Sequence, residues 1–163
     1  MKIESTLACA AALLAGFLSQ ALAADSYGKA ADNAIYAQKL VNEVMAKHPE
    51  LSVVGMRAPA PGKKESTMIA SNLDRIGKAD DEDDLAVANE HKTILAPNMK
   101  DPEKFEVAVP LKDASGKVIG SLSAVFKYKA GDDELKMHAA ALAIRNALAK
   151  RIASAAALFE KTK

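Results

Sequence analysis

The sequence predicts an α+β domain: an antiparallel sheet of four or five strands with long N- and C-terminal helices. Two observations carry that reading. Short β-branched, apolar segments occur as two neighbouring pairs, each joined by a glycine-containing turn, and strands so joined pair antiparallel. Helical spacing of apolar residues is confined to the two ends of the chain and one short central stretch, which segregates the helices around the sheet.

Residues 25–48 read as the first helix. Ala34, Ala37, Val41, Val44 and His48 recur at spacings of three and four, with Leu40 and Met45 widening the stripe. Pro49 ends it by pushing the residue before it out of the α region. LSVVGMR at 51–57 and STMIAS at 66–71 read as a hairpin around the Pro/Gly-rich turn 58–64. Residues 72–78 leave the sheet as a loop. The acidic run Asp80-Asp81-Glu82-Asp83-Asp84 then opens a short helix through Leu85, Val87 and Ala88, since carboxylates in a first turn favour the helix start. Pro97 and Pro102 forbid a long element in the next stretch, where 93–95 is expected as a short strand. Phe105, Val107, Val109 and Leu111 alternate along a strand, the turn Asp113-Ala114-Ser115-Gly116 follows, and 118–128 returns as a long strand. Pro110 is read as late in an edge strand. The last helix is expected over 132–161, with Leu135, Ala139, Leu142, Asn146, Ala149, Ile152, Ala156 and Phe159 on one face.

The first residues have the pattern of a secretory leader. Lys2 gives a positive start, residues 7–18 are uncharged and apolar, and Ala21-Leu22-Ala23 offers a cleavage site. The apolar run falls short of the roughly 20 residues that a spanning helix needs. Residues 1–23 are therefore read as a signal peptide and 24–163 as a single domain, located in the periplasm or secreted. Cys9 is the only cysteine and lies inside that leader, so the mature domain has no thiol for a disulfide, a metal or catalysis. Loss of Lys2 and Glu4 leaves the formal net charge at +1, which argues against nucleic acid or an anionic membrane surface as partner.

Catalytic machinery is not evident. His48, His91 and His138 have no metal-ligand partner at helical spacing, and neither H-E-x-x-H nor G-x-S-x-G occurs. The acidic run lacks the alternating acids, central glycine and terminal glutamate of a calcium loop, so it reads as a solvated helix start. Gly120 inside a strand marks a bulge or a close approach of something to the backbone. The expectation is no enzyme, no cofactor and no metal.

VAVPLKDASGKVIGSLSAVF resembles the closing hairpin of Cache domains, the extracytoplasmic PAS-like sensor modules of bacterial receptors. IASNLDRIGKADDEDD is similar to the segment in such domains where a strand gives way to the loop covering the pocket. The resemblance spans residues 25–128 and implies a free-standing PAS-like module that binds a small molecule such as a carboxylate or amino acid. Its pocket would lie between the sheet and residues 72–100, within reach of Arg57, Ser71, Asn72, Arg75, Lys92 and Ser121. Arg57 or Arg75 would grip a carboxylate. The alternative is a periplasmic structural or interaction domain that has no pocket and uses its Ala-rich C-terminal helix to pack on a partner or a second copy.

Overall fold

The computed structural model describes residues 26–162. The leader expected at 1–23 lies outside them. Among the described residues, strands β1 (Leu51–Pro59), β2 (Ser66–Ser71), β3 (Ile94–Pro97), β4 (Lys104–Lys112) and β5 (Val118–Lys127) form one antiparallel sheet in the order β2-β1-β5-β4-β3. The helices are α1 (Tyr36–Lys47), α2 (Glu82–Asn89) and α3 (Glu134–Ala149). None is long and apolar enough to cross a membrane.

Alternation along the strands sorts residues to two sides. Val54, Met56 and Ala58 of β1, Leu122, Ala124 and Phe126 of β5, and Val107, Val109 and Leu111 of β4 join one buried cluster. Helix α1 packs on β1 and β2, and α3 packs on β4, closing that cluster from one side only. Helix α2 packs on β4 and β5 from the opposite side.

Five expectations need correction. The first helix begins at Tyr36 rather than near residue 25. Before it, 26–35 run extended around a single 3-10 turn at Ala30–Asp32. Here backbone pairing wins over apolar spacing: Gly28 pairs with Ile76 and Ile35 with Lys161. The last helix stops at Ala149, because the chain must turn to bring Ile152 and Leu158 into the core. Ala114 N–H fastens that turn by donating to Ile152 O at 2.8 Å. Helix α3 also buries a different face, made by Ala141, Ile144 and Leu148, while Leu135 is 75% exposed. Alanine and leucine occupy both sides of this helix, so periodicity alone does not choose between them. The short third strand runs over Ile94–Pro97, a residue or two later than expected. Finally, β4 is an interior strand, yet β3 covers it only from Phe105 to Ala108. Pro110 lies beyond that cover, so its missing N–H costs no ladder bond.

The Asp113 turn is fixed by its own side chain. Asp113 Oδ1 accepts from Ser115 N–H, Ser115 Oγ–H and Lys117 N–H. The Ser115 hydroxyl foremost holds this carboxyl below its ordinary range.

Candidate functional site

The side of the sheet away from α1 and α3 is roofed by the chain that follows β2. Gly77 takes a positive φ of 92°, which lets the chain fold back along β2. Met68 N–H donates to Lys78 O and Gly77 N–H donates to Met68 O, both at 2.8 Å. The segment before α1 lies against the same loop: Gly28 N–H donates to Ile76 O at 2.8 Å, and Ala30 N–H donates to Asp74 Oδ1 at 2.9 Å. Asp81 then caps α2 in a reciprocal box with Asp84, each accepting the other's backbone N–H.

Between sheet and roof lies a cavity of about 250 Å³. Val53, Gly55 and Arg57 of β1, Glu106 and Ala108 of β4, and Ser123 and Val125 of β5 form its floor. Arg75, Lys78 and the start of α2 overhang it. This is small beside the 300–1,000 Å³ of drug-sized sites, a size suited to a compact metabolite.

The expected residues have different fates. Arg57 and Arg75 both line the cavity. Arg57 is already engaged: Nη1 donates to Asp80 Oδ1 at 3.1 Å, and Nε stands 2.9 Å from Asp84 Oδ1 in an ion pair without a straight hydrogen bond. It is only 5% exposed. Arg75 is exposed and its guanidinium has no partner among the described residues. Ser71 is buried beneath α1, where its N–H donates to Gln38 Oε1 and its Oγ accepts from Leu73 N–H. Asn72 bridges backbone, accepting from Val54 N–H and donating to Ser52 O. Lys92 is exposed and pairs with Glu90 at 2.6 Å. Ser121 stands opposite Arg57 across the β1–β5 ladder, buried, with its Oγ unpartnered.

The acidic run is not uniformly solvated. The Asp80 and Asp84 side chains are 2% and 9% exposed, drawn inward by Arg57. Burial pushes the Asp84 carboxyl up to about 6, against the opposing pull of Arg57. At Asp81 burial works in the same direction, but the Asp84 N–H and side chain outweigh it and hold that carboxyl low.

Sequence reasoning passed over Glu106, whose carboxylate has no partner among the described residues and reaches the cavity floor. Its signal was available, since a charged residue alternating with Phe105, Val107 and Val109 must face away from the core. Among the described residues, no group of three or more His, Cys, Asp or Glu is placed to hold a metal ion.

No family model matches the sequence, and no curated protein matches it. In structure the chain is similar to the nlh2 GAF domain of A. aeolicus in an inactive state. The TM-score is 0.56 at 12% identity, covering 70% of this chain and 82% of that one. It is also similar to a GAF sensor protein from Burkholderia vietnamiensis, with a TM-score of 0.52 at 16% identity and 78% of each chain covered. The fold is thus GAF-like, an α+β architecture with a five-stranded antiparallel sheet.

Proposed function

We propose that the chain is an exported, non-catalytic, sensor-type binding domain whose roofed cavity takes a small molecule bearing a carboxylate, an ammonium, or both. An amino acid is the simplest molecule carrying the pair. One observation supports this most directly: Arg75 and Glu106, charges of opposite sign without partners among the described residues, line the same cavity. Arg57 cannot take the carboxylate as the sequence suggested, because two aspartates occupy it. Arg75 inherits that role. Asp84 is committed to Arg57 and to the α2 cap, which supports a binding role over acid–base chemistry. The GAF-like likeness supports a sensor module, and the hairpin resemblance supports the Cache type within that class. The leader motif supports a periplasmic or secreted location.

The test is a melting screen of the mature chain with glycine, L-alanine, L-aspartate, acetate, pyruvate and ethanolamine. A ligand at a hundredfold excess over its Kd should raise Tm by roughly 5–10 °C. Arg75→Ala should remove the rise while leaving the ligand-free Tm unchanged. A flat response across all six probes sinks the reading. Secretion from a bacterial host, with a new N-terminus at Ala24, would support export.

A second reading rests on Leu135, 75% exposed on the outer face of α3 with Ala139 and Ala143 also exposed. That face would pack on a second copy or a partner. Because the inner face of α3 is core, the test alters the outer face alone: Leu135→Lys on a sizing column.

A further inference from the structure

Two buried carboxylates share one guanidinium where the roof meets the sheet. Arg57 rises from β1, and Asp80 and Asp84 descend on either side of the start of α2. The same guanidinium reaches the roof backbone, with Nη1 3.4 Å from Ala79 O and 3.5 Å from Lys78 O. It is the staple between floor and roof. Yet the trio formally carries one positive and two negative charges, in a place where water is largely excluded. An uncompensated buried charge is costly, and two carboxylates competing for one cation favour taking up a proton.

Among the described residues no cation other than Arg57 pairs with Asp80 or Asp84: Arg75 overhangs the same cavity but is exposed and makes no ion pair with either. Strand β5, against which α2 packs, carries no charged residue before Lys127, and β2 carries none. Asp81 adds a further negative charge through the reciprocal cap. Lys78 is turned toward Asp81, 3.9 Å away. Asp83 overhangs the cavity. From β4, Glu106 opposes and Lys104 is held by Asp101 at 2.7 Å. Asp80 Oδ2 itself is buried without a hydrogen-bond partner.

We infer that the Arg57–Asp80–Asp84 trio is a proton-operated latch that fastens the roof more tightly to the sheet as the surroundings turn acidic. The direction follows from linkage. Asp84 titrates near 6 in the folded chain, above the ordinary 3.8. A carboxyl so raised contributes stability that is complete below 3.8 and is lost as pH rises through about 6. The latch operates whether or not the cavity takes a ligand.

Hydrogen exchange of the Met68 and Gly77 amides tests it, because both bond across the β2–roof seam. Corrected for chemical exchange rates, their protection in the ligand-free chain should rise by about tenfold from pH 7.5 to pH 5. Asp84→Asn should abolish that rise. Asp84→Ser, which has no group to titrate there but keeps a hydroxyl to accept from the Asp81 N–H, should also abolish it. Absence of the rise in the natural chain, or an undiminished rise in both variants, overturns the latch. If Asp84→Asn does not fold, Asp84→Ser decides alone, and an undiminished tenfold rise there is fatal to it.

Discussion

The two sides of one sheet have opposite characters, although the same strands supply both. Toward α1 and α3, residues such as Val54, Met56, Val107 and Leu122 are fully buried and belong to one apolar cluster. Toward the roof, their immediate chain neighbours Gly55, Arg57, Glu106 and Ser123 border a cavity. One side is closed by helices whose apolar stripes fill the space. The other is closed by a loop and a two-turn helix held through backbone bonds and a shared guanidinium. A strand's period of two therefore separates the residues of the apolar core from those that border the cavity.

Both sides depend on the close approach of β1 and β5, so the largest effect is expected from breaking it. A Cβ at Gly120 would lie 1.9 Å from Arg57 O and 2.9 Å from its carbonyl carbon. Backbone cannot yield by that much without losing the ladder. Gly120→Ala should leave little folded chain at 25 °C by circular dichroism. A cooperative melt within a few degrees of the natural chain would show that the approach is not required.

Next comes the staple itself. Arg57→Met keeps the volume near β1 but strands Asp80 and Asp84 in the interior, a loss of about 3–5 kcal/mol at pH 7.5. The deficit should shrink at pH 5, because orphaned carboxylates relieve themselves by taking up protons. Urea unfolding at the two pH values checks both statements. Equal losses at the two values would mean that the aspartates are not the cause.

Much of this arrangement is legible in the sequence, and the reasons are local. The Asp113–Gly116 turn and the runs beside it declare a hairpin, because Asp113 satisfies three donors from inside the turn. The α2 start is declared by its acids, since Asp81 and Asp84 cap each other at a fixed offset. What stays hidden depends on partners far apart in the chain. Nothing local says that Arg57 will meet Asp80 and Asp84, or that Ser71 will sit under Gln38 rather than beside a ligand. The Ala-rich end misleads for a related reason. Its outward side, Leu135 and Ala139, is as apolar as its inward side, and the fit against β4 makes the choice. Residues 26–35 have helix-compatible spacing, but Ile76 and Lys161 offer their backbone a partner first.

The smallest effect sharpens the comparison most, because it uses neighbours in one strand. Leu122 is fully buried among the helices' side chains, and Ser123 borders the cavity at 8% exposure. Leu122→Ala removes close-packed methyl groups and leaves a hole that rigid strands cannot close, a loss of about 2–5 kcal/mol. Ser123→Ala removes a hydroxyl that makes no hydrogen bond among the described residues, so stability should stay within about 0.5 kcal/mol. If the cavity floor instead bears the fold, the two losses in urea will converge. If it serves a guest, Ser123→Ala will leave the unfolding midpoint alone and change only the melting response to the carboxylate and ammonium probes.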